Sequence, residues 1–115
     1  VVEGVGGWMV PINNTQTMAD VALMLDMPII LVVGIRLGCL NHALLTAEAI
    51  KRSGMRFAGW VANRIDSDCE RQEENVGALR RWLDAPLLAD FPYIAEEKSR
   101  MNQFSQLDLQ QVCIS

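Results

Sequence analysis

A three-layer α/β fold, a parallel sheet flanked by helices, is what this sequence predicts, and three observations carry it. Short apolar segments alternate with longer stretches of helical period, giving the order β-α-β-α-β-α-β. One segment, Pro28–Gly34 (PIILVVG), is apolar throughout, the pattern of a strand covered on both faces of a parallel sheet. The helical stretches open and close on residues that satisfy the free backbone groups of helix ends.

Taken in order, Val1–Glu3 reads as the end of a hydrophobic strand. A strand met at its end, in a chain that opens without Met, predicts a piece of a longer protein. Thr17-x-x-Asp20 is a capping box and predicts a helix through about Asp26. Pro28–Gly34 is the second strand. Asn41 stands where an N-cap belongs, with Ala43, Leu44, Ala47 and Ile50 following at helical spacing and Gly54 as the C-terminal cap. Phe57–Asn63 (FAGWVAN) is the third strand. Ser67-x-x-Glu70 predicts a second capping box, leading into a helix whose apolar stripe includes Val76, Leu79, Trp82 and Leu83. Pro86–Phe91 (PLLADF) is the fourth strand, and Gln106–Ile114 has the pattern of a last short helix. Right-handed crossovers are expected between the strands. With no repeat and no linker, residues 1–115 are expected to form one domain.

Composition bounds the function. Half of the 115 residues are hydrophobic and 21% are charged, a globular balance. The formal net charge of −4, with scattered basic residues, argues against a nucleic-acid binder. The longest apolar run, Met27–Gly34, is too short to span a bilayer. Cys39, Cys69 and Cys113 are odd in number and widely spaced, which fits reduced thiols better than a disulfide framework or a zinc site. A cytoplasmic protein is expected.

Ligands of open parallel sheets bind beyond the carboxyl ends of the strands, so the residues after each strand are the candidates. Glu3-Gly4-Val5-Gly6-Gly7 combines a hard oxygen suited to Mg²⁺ with glycines that let a phosphate approach the backbone. A tight turn with an exposed carboxylate explains the same residues as well. Gly34–His42 leads from a buried strand into a helix N-terminus, where backbone N–H groups favour an anion. An ordinary loop with Asn41 as cap is the plainer alternative, and His42, the single histidine, reads as structural. Asn63-Arg64 could offer an amide to a base edge or simply turn the chain. Pro92-Tyr93-Ile94 could wall a flat ring or pack. No GxxxxGK[ST] loop is present, neither Lys51 nor Lys98 follows a glycine-rich turn, and no GxSxG elbow occurs.

Taken together, VVEGVGGW, PIILVVGIRLGCLNHALLTAEAI, AGWVANRI and APLLADFPYI resemble the dethiobiotin synthetase family in order, spacing and wording, from Val1 to about Ile94. The resemblance implies a P-loop NTPase-like sheet of which this chain is the C-terminal half, and a cytoplasmic homodimer. It also implies an ATP- and Mg²⁺-dependent ligase of biotin biosynthesis. Such enzymes join 7,8-diaminopelargonate and CO₂ through a carbamate, which ATP converts to a mixed anhydride before the second amine closes the ring. Nucleic acid and membranes are not implied partners.

Carried over residue by residue, the resemblance gives Glu3 as the Mg²⁺-binding carboxylate and Gly4, Val5 and Gly6 as the turn beside the nucleotide. Asn63 matches the residue that reads the adenine edge, with Arg64 beside it, and Pro92, Tyr93 and Ile94 match the segment lining the base. Leu37, Gly38 and Asn41 match the loop that holds the substrate's tail carboxylate. Two departures stand out. The family commonly has an acidic residue where Arg64 stands, and a glutamate that often follows the adenine segment falls near Ser99, with Glu96 and Glu97 earlier. The P-loop, its lysine and a second metal-binding acid belong to the half that this chain lacks, so no catalytic residue is assigned. Two other readings compete. One is a related P-loop amidoligase acting on a corrinoid precursor, and the other is a non-catalytic dimerisation module or remnant that lost the NTP site.

Overall fold

The computed structural model describes residues 1–95, so the helix expected over residues 106–114, like Glu96, Glu97 and Ser99, lies outside them. Six elements follow one another: α1 (Met18–Leu25), β1 (Ile29–Gly34), α2 (Cys39–Arg52), β2 (Phe57–Asn63), α3 (Gln72–Trp82) and β3 (Leu87–Phe91). The strands form one parallel sheet in the order β1-β2-β3, the arrangement that helical crossovers between successive strands produce. This is an incomplete α/β fold.

Expected and observed strands agree to within a residue for all but the first. Val1–Glu3 is exposed and unpaired among the described residues, because a segment becomes a strand only when a neighbour takes its backbone hydrogen bonds. The helix starts divide. At α1 the carboxylate of Asp20 accepts the backbone N–H of Thr17 at 2.6 Å, the reach back that a capping box requires, and it also accepts the Thr17 hydroxyl at 3.1 Å. The helix ends at Asp26, in the left-handed region at φ 48°. By contrast, α2 starts three residues before the expected Asn41, at Gly38, whose φ of 88° an L side chain rarely adopts. Asn41 lies inside the first turn. Similarly α3 starts from Arg71 at φ 60°, not from Ser67, whose hydroxyl instead faces the carboxylate of Asp68.

The main hydrophobic cluster lies on one side of the sheet, while Val61 is buried on the other. Cys39, Ala43, Ala47 and Ile50 are the buried positions of α2, spaced four, four and three apart. The first three join Val33 of β1, Ile35 just beyond it, Trp60 and Ala62 of β2, and Val76, Leu79 and Leu83 in one cluster. Small residues on α2 leave room for the large ring of Trp60, which is fully buried with its ring N–H unpartnered. Trp82 was expected in the apolar stripe of α3 but is 71% exposed, while Leu83, just past the helix end, is buried. The opposite side of β1 also differs from expectation. Val32 is 61% exposed, so β1 is not covered on both faces by the described residues. On that side of β2, Gly59 is buried and leaves no room for a side chain. A Cβ there would meet Cγ of Leu88 at 2.6 Å.

Candidate functional site

Parallel pairing brings the three strand ends to one edge, with Gly34 opposite Asn63 and Asn63 opposite Phe91. The pairing runs on past the strands. Ile35 donates its N–H to the carbonyl of Asn63 at 2.8 Å, and Arg64 donates its N–H to the carbonyl of Phe91 at 3.0 Å. The loops carrying Leu37 and Gly38, Asn63 and Arg64, and Pro92 to Ile94 therefore leave the sheet side by side. This is the edge where open α/β sheets bind ligands.

Leu37 is 97% exposed and Asn41 is exposed beside it on the first turn of α2. No side chain among the described residues caps this helix, and its first N–H, that of Cys39, donates to the carbonyl of Arg36 at 3.1 Å. Asn63 is half-buried between its two neighbours, while Pro92 and Tyr93 are exposed and Ile94 is half-buried. Glu3, Gly4, Val5 and Gly6 are all exposed. Their loop turns through Gly6 and Gly7 at positive φ and is seated on α1, where a Cβ on Gly4 would meet the side chain of Met18 at 3.1 Å.

Arg64 is the most tightly held of these side chains. Its Nε and Nη2 donate to Oδ1 and Oδ2 of Asp90, both at 2.8 Å, and its Nη1 donates to Oε1 of Glu73 at 2.6 Å. Only 14% of the side chain is exposed. The hydrogen bonds it donates to Asp90, then the one to Glu73, raise the pKa of the guanidinium beyond its already high value, so it stays charged at any working pH. The planar fork is the geometry that carboxylates match best. It ties the end of β2 to the end of β3 and to the first turn of α3. Neither Asp90 nor Glu73 was legible as a partner in the sequence. The contact spans 26 residues in one case and nine in the other, and no local motif announces it.

Beside this edge a cleft of about 730 Å³ lies between the loop after β1 and the loop after β2. It is lined by Arg36, Leu37, Asp66, Cys69, Arg71 and Asn75 among others. Arg36 and Leu37 of this lining belong to the Gly34–His42 loop, and Leu37 is the one matched to substrate binding by the resemblance. Among the described residues no group of three or more metal-ligating side chains occurs. Glu3 offers a single exposed carboxylate at its own loop. No helix among the described residues is long and apolar enough to cross a membrane.

The model of the family described as AAA domain matches residues 1–99. The chain is 50% identical over 101 residues to the ATP-dependent dethiobiotin synthetase BioD of Ralstonia nicotianae, covering 88% of this chain and 44% of that protein. It is 56% identical over 95 residues to the protein of the same name from Aromatoleum aromaticum, covering 83% and 42%. The likeness to the one from Cellvibrio japonicus is 50% over 95 residues, with the same coverage of 83% and 42%. The chain thus spans less than half the length of the curated relatives it matches.

Proposed function

We propose, from the premise that this chain belongs to the AAA-domain family, that it is the C-terminal portion of one P-loop NTPase-like domain of an ATP-dependent dethiobiotin synthetase. The observation that carries this reading is the 50–56% identity to proteins of that name over 83–88% of the chain. The geometry agrees with it. In this reading Asn63 and the Pro92–Ile94 segment flank an adenine, the first leaving an amide to hydrogen-bond the base edge and the second offering a flat apolar wall. The exposed loop and helix N-terminus at Leu37, Gly38 and Asn41 receive the tail carboxylate of 7,8-diaminopelargonate. Gly4, Val5 and Gly6 let the phosphates and the reacting carbamate approach the backbone.

Glu3 would hold Mg²⁺, whose charge, when bound, neutralises phosphate oxygens and so favours phosphoryl transfer. The residues of this chain then bind and orient. Backbone N–H groups of α2 would hold an anion, the strand ends would hold the base, and Glu3 would hold the cation. The remaining functions, gripping the β- and γ-phosphates above all, belong to residues outside this chain. A homodimer in the cytoplasm completes the proposal.

The test is to read the coding sequence upstream of the codon for Val1 and to express the extended protein. An in-frame extension bearing GxxxxGK[ST], with ADP release that depends on 7,8-diaminopelargonate and CO₂, is the expected result. A stop codon followed by a new start just before Val1, or ADP release indifferent to the diamine, would sink the reading.

A further inference from the structure

The residue after Asn63 does more than follow it in sequence. We propose that Arg64 is a positioning residue for the nucleotide base, holding the strand end that carries Asn63 at a fixed spacing from the segment that begins at Pro92. The inference rests on the functional reading above, and the geometry supplies its mechanism. The two bonds to Asp90 and the backbone bond to the carbonyl of Phe91 attach Arg64 to β3 immediately before Pro92. The bond to Glu73 attaches the same guanidinium to the first turn of α3. Three elements meet at one planar group.

Three of its five N–H donors are thus committed to carboxylates, and little of the side chain is exposed. The positive charge is matched by two negative ones. Such a group is poorly suited to receive a phosphate, and well suited to stop two strand ends from sliding apart. Lysine cannot do the same, because an ammonium carries the charge without the fork.

The experiment uses the protein expressed with its upstream coding sequence and compares Arg64→Lys, Asp90→Asn and Glu73→Gln with wild type. KM for ATP, KM for the diamine, kcat, the ATP-to-GTP preference and the melting temperature are read for each. Arg64→Lys and Asp90→Asn should each raise KM for ATP about tenfold, the scale of losing a charge-assisted hydrogen bond at a positioning site. They should narrow the preference for ATP over GTP and leave kcat and the diamine KM unchanged. Glu73→Gln should do less, because Glu73 is 84% exposed and its charge is screened. A lowered melting temperature with unchanged KM for ATP would overturn the proposal, since Arg64 would then be structural only. A fall in kcat at constant KM would overturn it too. Wild type that turns over no ATP with the diamine overturns the functional reading and this proposal together, whereas a working wild type with indifferent variants overturns this proposal alone.

Discussion

Arg64 grips Asp90 through two parallel hydrogen bonds, Nε to Oδ1 and Nη2 to Oδ2, both at 2.8 Å. The pair joins the end of β2 to the end of β3 and is sheltered enough for the bonds to strengthen the fold as well as its edge. A double-mutant cycle with Arg64→Met and Asp90→Asn should give a coupling energy of about 1.5–3 kcal/mol by urea unfolding of the extended protein. A coupling within error of zero would mean that the two side chains do not stabilise each other in solution.

Gly59→Ala should destabilise by about 1–3 kcal/mol, the usual cost of overpacking. The new methyl would sit 2.6 Å from Cγ of Leu88, so the Leu88 side chain or its strand must shift. Adding Leu88→Ala should recover part of the loss. Equal stability of wild type and Gly59→Ala would show that the sheet yields there without strain.

Gly38→Ala tests the start of α2 differently, because nothing lies within 4 Å of the added Cβ. The cost is backbone alone, about 1–2 kcal/mol for holding an L residue at positive φ. Gly38→Asn should cost less, since asparagine visits that region more readily. If both variants lose the same stability, the left-handed geometry is not what the position requires.

Lys51 lies 2.9 Å from Asp84 and lowers the pKa of its carboxyl, first by the hydrogen bond and then by its charge. A carboxylate depressed in the folded state adds stability above its ordinary value of 3.8 and loses it as pH falls through the folded value. Asp84 is fully exposed, so solvent and salt screen the effect. Asp84→Asn should lower the melting temperature only slightly near neutrality and, by the same small amount, flatten the loss of stability in acid. A clear drop in melting temperature at neutral pH would contradict this.

The isolated 115 residues should melt broadly and bind ATP weakly, because one face of β1 is uncovered and Val1–Glu3 has no strand partner among the described residues. A cooperative melt together with micromolar ATP affinity would be the opposite result.

The strands were legible almost to the residue because their signals are local. PIILVVG and FAGWVAN are apolar runs bounded by turn residues, and burial of such runs needs no knowledge of the partner. The start of α1 was legible for the same reason, since Thr17 and Asp20 cap it with their own side chains. The starts of α2 and α3 were not. Both begin from a residue in the left-handed region and neither has a side-chain cap, so Asn41 and Ser67 carried the right residue type at the wrong place. Val1–Glu3 and Val32 show the other limit, because pairing and coverage depend on groups far along the chain. At the candidate site the loop residues could be read from strand ends. The carboxylates that occupy Arg64 come from β3 and α3, and only the fold brings them to it.

The outer margin of β1 has a consequence for handling the protein. Ile29 to Val33 is an uncharged, β-branched-rich stretch whose other long side has no strand partner among the described residues. Such a stretch is a template on which copies of itself can stack, with the 4.7–4.8 Å repeat of cross-β fibres. Pro28 guards one end of the stretch and Arg36 stands just past the other. Concentrated preparations of the 115 residues should therefore convert to fibres with a lag that shortens as concentration rises. A lysine at Val32 should lengthen that lag by setting like charges against each other in every layer.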